Sequence, residues 1–381
     1  MRVAIIGAGI AGCHAAALLA GEGHEVLLYD PMSPWEKPCG GGITPRNFRD
    51  FPFLNEFRSG CFPVHRMLME APDGTRCVIP FPEPVWIASR HALGEFLLKR
   101  AEAAGARHLR QQVIRVEGKG EGWRVVTGGG KTGADFLVGA DGVNSMVRSR
   151  LSARLPRKDE TLAVGYWIEG AMEDELVIAF LKGISGYLWI FPRKEHLSAG
   201  IGARVGEASG RELFGHLDRY LERFDARLME RPKKPYGALI PALTREGLKV
   251  NRICGGNWAL IGDASGLVDP VTGEGIYYAF RSAEFLVEAF RWCKVEMYEE
   301  ICRKRIVPEL RQAAAYVRTF FDPGVSCRLV QLAGDKAGVR RLLARLIAGE
   351  QGYRTLKREL LKVIPSLFWD FLGNMFPGEL K

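Results

Sequence analysis

Three glycines near the start of the chain have a spacing that can serve a bound dinucleotide. Gly7, Gly9 and Gly12 form a GxGxxG pattern, with Ile10 and Ala11 before the last glycine. The first glycine of such a pattern makes a tight turn, the second lets a pyrophosphate approach the backbone, and the third allows close packing of helix on strand. Amide groups at the start of the following helix then face the phosphates. The pattern therefore predicts a dinucleotide site.

An acidic residue follows at a useful distance. Asp30 lies 18 residues beyond Gly12 and comes directly after Glu25–Tyr29, which the pattern predicts to be a second strand. An acid at this position accepts hydrogen bonds from an adenosine ribose. A plain glycine-rich turn with a surface aspartate is the alternative, and the strand–turn–helix context disfavours it.

Two later segments favour FAD over NAD. One is GADGVNS at 139–145, which contains Asp141 and Gly142, and the other is GDASGLVDPVTGEGI at 262–276. Each follows an apolar strand. An aspartate at a strand end can bond ribityl hydroxyls, and amides at a helix start can stabilise negative charge on a reduced flavin. Either segment alone could be an ordinary strand-to-helix turn. With the first glycine motif they predict an FAD site.

At this point the sequence resembles FAD-dependent oxidoreductases of the para-hydroxybenzoate hydroxylase fold, and within them the geranylgeranyl reductase family. The resemblance spans most of residues 1–290. It rests on PCGGGI at 38–43, on the 262–276 stretch, and on YxWxFP at 187–192 with a trailing GxG at 200–202. The resemblance implies reduction of carbon–carbon double bonds in polyprenyl chains carried on a diphosphate, a chlorophyll precursor or an archaeal-type glycerolipid.

The resemblance also implies site residues. Asp30, Arg90, Asp141 and Asp263 would contact FAD, and the stretch from Cys39 to Gly42 would lie beside the isoalloxazine ring. Many members of the family have an acidic residue where this chain has Gly94, a departure that weakens the assignment of Arg90. The complete set expected to bind FAD is Gly7, Gly9, Ile10, Ala11, Gly12, Asp30, Cys39, Gly40, Gly41, Gly42, Arg90, Asp141, Gly142, Gly262, Asp263, Gly273, Gly275 and Ile276.

Cys39, Gly40 and Gly41 are the expected catalytic positions. Glycines beside a cysteine remove side chains and let a planar group come close, and a flavin is such a group. The thiol could donate a proton or could merely shape the wall of the site. The sequence leaves both roles open.

Alternation in a strand predicts an apolar wall. Tyr187, Trp189 and Phe191 fall on one strand face, and Leu188 and Ile190 fall on the other. Three aromatic rings on one face suit an apolar chain, although they would also suit an ordinary β-domain core. With the resemblance, the expected substrate-binding residues are Tyr187, Trp189, Phe191, Pro192, Gly200 and Gly202.

The elements that must position these residues predict an α/β plus α+β fold. We expect a discontinuous Rossmann-type FAD domain, an inserted mainly β substrate domain and a helical C-terminal region. The pattern assigns 31–60 to loop. The predicted FAD domain comprises 1–60, 91–158 and 249–290, the β-sheet substrate domain comprises 61–90 and 159–248, and the helical region comprises 291–381.

Composition limits the partners. The chain has 381 residues and a net charge of +9, a surplus that suits nucleic acid, an anionic membrane surface or a phosphate-bearing substrate. The eight cysteines are scattered without a CxxC pair, which indicates reduced thiols. The seven histidines also lack ligand spacing, so the sequence predicts no metal site. No apolar run reaches a membrane span. We expect a cytoplasmic protein that does not bind nucleic acid, with peripheral contact to the inner membrane face left open.

The C-terminal quarter carries most of the basic surplus, with 18 Lys/Arg against 12 Asp/Glu over 281–381. A helical cover over a lipid tunnel that touches anionic headgroups is one interpretation. A plain amphipathic helical domain is the other. The first is favoured by the apolar residues Phe368, Trp369, Phe371, Met375 and Phe376 near the end.

Other functions on the same fold lose ground. Aromatic hydroxylases usually have a histidine where this chain has Ser265. A flavin halogenase needs a lysine along its tunnel, typically within the first ninety residues, and this chain has no lysine between Lys37 and Lys99. A quinone-linked dehydrogenase would need a four-cysteine cluster. A non-catalytic flavin-binding lipid carrier stays open. NAD(P)H and a small ferredoxin-type protein are equally open as electron donors.

Overall fold

The computed structural model describes residues 1–118, 122–170 and 175–363. The strands of these ranges are β1 (Arg2–Ile6), β2 (Glu25–Tyr29), β3 (Gly42–Ile43), β4 (Phe62–Glu70), β5 (Arg76–Ile87), β6 (Arg107–Leu109), β7 (Val113–Glu117), β8 (Trp123–Thr127), β9 (Gly130–Ala134), β10 (Phe136–Gly139), β11 (Glu160–Glu169), β12 (Glu175–Phe180), β13 (Tyr187–Pro192), β14 (His196–Arg204), β15 (Lys233–Pro241), β16 (Cys254–Gly255) and β17 (Trp258–Leu260).

Helices connect and cover these strands. They are α1 (Ile10–Gly21), α2 (Pro45–Asp50), α3 (Arg90–Ala103), α4 (Met146–Leu151), α5 (Gly210–Phe224), α6 (Arg227–Glu230), α7 (Arg245–Val250), α8 (Ile276–Arg291), α9 (Glu296–Arg305), α10 (Val307–Phe320), α11 (Pro323–Asp335), α12 (Ala337–Ile347) and α13 (Tyr353–Val363). Short 3-10 segments occur at Pro52–Gly60, Arg157–Asp159 and Gly262–Ser265. Within the described ranges, no helix is both long and apolar enough to cross a membrane.

The described residues form two compact units. The first unit consists of Met1–Lys37, Ser89–Glu160 and Leu239–Arg311. The second unit consists of Pro38–Ala88, Thr161–Ala238 and the described residues from 312 onward. The three-domain division expected from the sequence stays a prediction.

A six-stranded sheet in the order β16-β17-β10-β1-β2-β6 is the centre of the first unit. Its strands pair in parallel except for β16 at one edge. β10 is buried at every residue, as an apolar strand covered on both faces should be. α1 packs against α3 and α8, and β7, β8 and β9 form a separate antiparallel sheet.

The order of three neighbouring strands brings the predicted cofactor segments together. β17, β10 and β1 are adjacent and parallel, so their carboxyl ends lie at one edge of the sheet. Gly7 follows β1 with a φ of +103°, and a Cβ there would lie 2.4 Å from the Ala140 carbonyl oxygen after β10. A Cβ at Gly262, after β17, would lie 2.8 Å from the Cβ of Ala11. These segments are in direct contact, as the sheet order requires.

The second unit contains an eight-stranded sheet in the order β15-β11-β14-β13-β12-β4-β5-β3. Pairing is antiparallel among β11, β14, β13 and β12, and parallel between β12 and β4. One face is closed by the amphipathic helix α5, whose Leu213, Leu217 and Leu221 pack into the sheet core. A capping box between Ser209 and Glu212 fixes the start of that helix.

The predicted combination of a Rossmann-type unit, a β-rich unit and C-terminal helices is confirmed. The assignment of 31–60 to loop is wrong. The segment contains β3, α2 and the 3-10 segment Pro52–Gly60. α2 begins with Pro45 after Thr44, a favourable helix start, yet it has only 6 residues and is too short to show a helical period.

Candidate functional site

The N terminus of α1 is open toward an anion. Gly9 is its N-cap, no side chain caps it, and no acidic residue occupies its first turn. A Cβ at Gly12 would lie 1.9 Å from the Gly7 carbonyl oxygen, so Gly12 serves the packing of the protein itself. A Cβ at Gly9 would meet no atom within 4 Å. Ile10 and Ala11 then lead into the helix. The free space and the unpaired helix end fit a diphosphate.

Asp30 supports the glycine loop. Its Oδ2 accepts a hydrogen bond of 2.9 Å from the Ala8 amide, and its Oδ1 accepts bonds of 2.9 Å from the amides of Met32 and Ser33. Ser33 in turn donates its hydroxyl to the Ala8 carbonyl at 2.8 Å. The carboxylate therefore lies beside the predicted diphosphate loop, and its contact with a ribose stays a prediction.

Asp141 accepts hydrogen bonds from the first turn of the short helix α4 and from its N-cap, Ser145. Its Oδ1 accepts from the Ser145 hydroxyl at 2.5 Å, and its Oδ2 accepts from the amides of Met146 at 2.8 Å and Val147 at 3.2 Å. Burial raises the pKa of this carboxyl, although the hydrogen bonds oppose the shift. Gly142 follows with a φ of +78°. The acid thus organises the turn after β10, and its contact with FAD stays a prediction.

Asp263 forms an ion pair that the sequence did not predict. Lys37 Nζ donates to Asp263 Oδ2 at 2.6 Å, with side chains 32% and 20% exposed. Burial alone would raise the pKa of Asp263, but Lys37 and then Arg90 outweigh burial and lower it. A Cβ at Gly275, the uncapped N-cap of α8, would lie 3.2 Å from Asp263 Oδ1. No spacing rule pairs two residues that are 226 positions apart.

Arg90 lies beside this ion pair at the start of α3. The Glu36 carboxylate accepts from the Ser89 hydroxyl at 2.5 Å and from the amides of Arg90 at 3.0 Å and His91 at 3.2 Å, which anchors the helix end. The Nε of Arg90 is buried and has no hydrogen-bond partner among the described residues. A buried cationic donor of this kind fits an anionic ligand.

These features of the first unit fit FAD. The open end of α1 suits the diphosphate, and the buried Nε of Arg90 suits an anionic acceptor. The uncapped end of α8, reached through Gly273 with a φ of +69° and beginning at Ile276, presents amides beside Asp263. The Gly262 position, with a φ of +58°, holds the turn that leads to them.

In the second unit, the loop that contains Cys39 is held by the side chains of Arg193 and Ser198, which the sequence analysis did not single out. Arg193 Nη2 donates to the Cys39 carbonyl oxygen at 2.6 Å and to that of Gly40 at 3.4 Å. The Ser198 hydroxyl donates to the same Cys39 oxygen at 3.0 Å. The Gly41 amide donates to Cys39 Sγ at 3.3 Å. The one available signal was position, since Arg193 directly follows the YxWxFP pattern.

The glycines of this loop make room for an aromatic ring of the protein. A Cβ at Gly40 would lie 2.6 Å from Phe191 Cδ2, and one at Gly42 would lie 3.4 Å from Phe191 Cε2. Gly41 has a φ of +87°, and a Cβ there would meet the Ala88 carbonyl oxygen at 2.2 Å. From the sequence, a flavin is expected to be the planar group that these glycines admit. In the structure, Phe191 takes the space at Gly40.

β13 separates its side chains as alternation predicts. Leu188 and Ile190 are fully buried in the core under α5. Tyr187, Trp189 and Phe191 point to the other face, where the rings of Tyr187 and Trp189 lie 6.0 Å apart. Pro192 is the last residue of the strand. The aromatic row is therefore not part of the α5 core.

The trailing glycines create the seat of Trp189. A Cβ at Gly200 would lie 2.3 Å from Trp189 Cζ2, and one at Gly202 would lie 3.9 Å from Cζ3. Trp189 Nε1 lies 3.5 Å from the Ser198 hydroxyl, which is 3.0 Å from the hydroxyl of Tyr236. Burial raises the pKa of Tyr236. One packed and hydrogen-bonded group is thus formed by Trp189, Ser198, Gly200 and Tyr236.

The C-terminal helices enclose a small apolar cavity of about 40 Å³, lined by Tyr316, Phe320, Leu329, Leu343 and Leu356 among others. A cavity of this size holds about one water molecule and is too small for a prenyl chain. The predicted lipid tunnel under these helices stays a prediction. The apolar residues expected to favour it, namely Phe368, Trp369, Phe371, Met375 and Phe376, lie outside the described residues.

Comparisons with known proteins identify relatives of this chain. Residues 5–34 match the model of the NAD(P)-binding Rossmann-like domain. Menaquinone reductase of Mycobacterium tuberculosis is 30% identical over 315 residues, 75% of each chain. Geranylgeranyl diphosphate reductase of Rhodobacter capsulatus is 31% identical over 309 residues, 75% of this chain and 73% of the relative. Digeranylgeranylglycerophospholipid reductase 2 of Methanothermobacter thermautotrophicus is 29% identical over 343 residues, 82% of this chain and 86% of the relative.

Solved structures share the fold. A geranylgeranyl bacteriochlorophyll reductase-like protein from Thermoplasma acidophilum superposes with a TM-score of 0.76 at 21% identity, covering 95% of this chain and 98% of that chain. A flavin-dependent brominase superposes with a TM-score of 0.73 at 17% identity, covering 95% and 99%. At these identities the likeness establishes the fold and leaves the reaction to other evidence.

Proposed function

Because the chain belongs to the geranylgeranyl reductase family of FAD-dependent oxidoreductases, we propose that it saturates carbon–carbon double bonds of a polyprenyl chain carried on a diphosphate or a lipid. The observation that carries the proposal is the aromatic row on β13. Tyr187, Trp189 and Phe191 point away from the α5 core, and Gly200 is shaped to seat the indole of Trp189. An aromatic wall of this kind suits an apolar chain.

The first unit offers the groups that would hold FAD. These are the open N terminus of α1 at Gly9, the guanidinium of Arg90, and the Lys37–Asp263 pair beside the uncapped end of α8. Bound FAD in its reduced form would supply the hydride equivalent for the alkene. A proton must complete each saturation, and whether Cys39 donates it or only shapes the site is an open part of the proposal.

Binding energy from the apolar chain is central to this chemistry. An unpolarised alkene accepts hydride poorly, so the protein must hold it close to the donor and exclude water. Burial of apolar carbon contributes roughly 0.8 kcal/mol per CH₂, so a long prenyl chain brings ample binding energy. The protein could then position one double bond after another without polar recognition near the reacting carbons.

Anaerobic turnover tests the proposal. The purified holoprotein is reduced with dithionite and incubated separately with geranylgeranyl diphosphate, a geranylgeranylated glycerolipid and a menaquinone, and the products are analysed by mass spectrometry. We expect products heavier by successive pairs of hydrogens in at least one arm. A product that forms only with oxygen and carries an added oxygen or halogen atom would instead establish the monooxygenase or halogenase alternative.

A second outcome separates a reductase from a lipid carrier. In a reductase, the bleached flavin spectrum recovers under anaerobic conditions when the prenyl substrate is added. A carrier would bind the lipid without any recovery of absorbance. NAD(P)H and a ferredoxin-type protein are compared as donors in the same assay, with dithionite as the reference.

We also propose peripheral contact with an anionic membrane through the basic C-terminal helices. The proposal rests on the excess of Lys and Arg over Asp and Glu in 281–381. Cosedimentation with vesicles that contain anionic lipid should exceed cosedimentation with neutral vesicles and should fall with added salt. Equal cosedimentation with both kinds of vesicle would refute it.

A further inference from the structure

Arg193 is a buried cation whose hydrogen bonds converge on one loop. The residue is 2% exposed, and its Nη2 donates to the carbonyl oxygens of Cys39 and Gly40. Its Nη1 lies 3.1 Å from His196 Nε2. Burial of a guanidinium is costly unless acceptors are held in place around it. The two carbonyls are therefore fixed by the same contacts that satisfy the charge.

Ser198 fixes the same peptide from a second direction. Its hydroxyl donates to the Cys39 carbonyl oxygen and is itself held by the hydroxyl of Tyr236. Arg193 and Ser198 belong to one hairpin, because the Arg193 amide donates to the His196 carbonyl at 2.9 Å in the turn between β13 and β14. Two donors on one rigid hairpin thus meet at a single oxygen.

Phe191 adds a third contact from the same hairpin, since its ring packs where a side chain at Gly40 would stand. The Gly41 amide then donates to Cys39 Sγ. The loop has carbonyls held on one side, a ring on another and its thiol turned toward its own backbone. Such a set of contacts leaves the sulfur little freedom.

From this geometry we propose that Arg193, with Ser198, is a positioning residue that sets the placement of the Cys39 thiol for the reaction. The inference rests on the proposed function for its catalytic meaning. The positioning itself does not depend on the substrate. Through Phe191 and Arg193, the hairpin that carries the aromatic row also contacts the cysteine loop.

The test uses Arg193→Met and Arg193→Lys in the holoprotein, with Lys194→Met as the matched control. Lys194 is the next residue, and its Nζ donates to the Ser59 carbonyl rather than to the cysteine loop. Alkylation by iodoacetamide is followed by peptide mass spectrometry, with the exposed Cys293 as internal reference. In parallel, kcat and KM for the prenyl substrate are measured along with FAD content.

Because the buried guanidinium is lost in Arg193→Met, we expect its Cys39 to be alkylated about fivefold faster relative to Cys293. We also expect kcat to fall about tenfold, with KM within about twofold of the parent value. Arg193→Lys should recover part of both effects, because an ammonium can donate to one carbonyl. Lys194→Met should match the parent. If Arg193→Met does not retain FAD, Ser198→Ala decides, with the same two changes expected at smaller size.

Unchanged Cys39 alkylation in Arg193→Met and Ser198→Ala would overturn the positioning role, whatever their activity. A loss of activity in Ser198→Ala that merely follows a loss of FAD would also overturn it. If no variant and no parent protein reduces a prenyl chain while alkylation changes as expected, the proposed function has failed and the positioning role stands. The two failures are therefore distinguishable.

Discussion

Lys37 and Asp263 form an ion pair across 226 positions of the chain, with a 2.6 Å contact at the edge of the sheet where the three predicted cofactor segments meet. The pair balances a carboxylate that would otherwise repel an anionic cofactor. Arg90 adds a second positive charge near the same carboxylate. Lys37 and Arg90 therefore offset the negative charge of Asp263.

Loss of the ammonium should weaken cofactor binding. We expect Lys37→Met to raise the Kd for FAD about tenfold, which corresponds to about 1.4 kcal/mol, because Asp263 would then face the cofactor without its partner. Lys37→Arg should stay close to the parent. Fluorescence titration of the apoprotein measures the change. Riboflavin, which lacks the diphosphate, should be affected much less, and an equal effect on both ligands would contradict the charge argument.

The same pair predicts a pH dependence of stability. The folded-state pKa of Asp263 is lowered, so its contribution to the free energy of unfolding is present above the ordinary value of 3.8 and is lost as pH falls through the lowered pKa. The difference in stability between the parent and Lys37→Met should be constant near neutral pH and should shrink in this acidic range. Urea unfolding of both apoproteins from neutral to acidic pH checks it. A gap that widens in acid would refute the assignment.

The space at Gly9 should be essential for FAD and irrelevant to folding. Because a Cβ there meets no protein atom, we expect Gly9→Arg to fold with the circular dichroism and melting behaviour of the parent apoprotein and to lose its flavin spectrum. Gly128→Arg is a matched control, since a Cβ at Gly128 also meets nothing within 4 Å. A Gly9→Arg protein that keeps its full flavin absorbance would show that the diphosphate lies elsewhere.

The aromatic row should matter for the substrate and little for the flavin. We expect Trp189→Ala and Phe191→Ala to retain FAD and to lose turnover of long prenyl chains, with Leu188→Ala destabilising the protein instead because Leu188 belongs to the α5 core. Removal of a large core side chain costs roughly 2–5 kcal/mol. Steady-state kinetics and thermal unfolding separate the two effects. Full activity of both aromatic variants would return the row to a structural role.

The contact between Gly40 and Phe191 predicts a coupling that a double-mutant cycle can measure. Gly40→Ala alone should destabilise the protein by about 1–3 kcal/mol, as overpacking usually does, because its Cβ would meet the ring. In the Phe191→Ala background the same change should cost much less, since the three nearest atoms to that Cβ all belong to Phe191. Additive effects in urea unfolding would contradict the packing.

The sequence predicted the sheet edge well because its signals are local. An apolar strand followed by glycines predicts a turn at the carboxyl end of β1, β10 or β17. Because these strands are parallel neighbours, their turns lie together at one edge of the sheet. Side-chain partners such as Arg193 and Cys39 depend on which strands become neighbours. The order of neighbouring strands is determined by packing over the whole unit, and the spacing of residues in the sequence does not indicate it. The elements between 38 and 60 escaped because each is too short to repeat a pattern.

The adjacency of β1, β10 and β17 has a consequence for how the protein is made. β1 pairs with a strand that leaves the ribosome more than a hundred residues later, and that strand awaits β17 for its other neighbour. Pairing over such separations is slow because the loop must close before contacts reward it. The sheet edge that we propose to bind FAD is thus complete only when most of the chain has been synthesised. A flavin that binds the completed sheet edge would then stabilise the protein at a late stage of folding, because it shifts the folding equilibrium toward the native state by mass action.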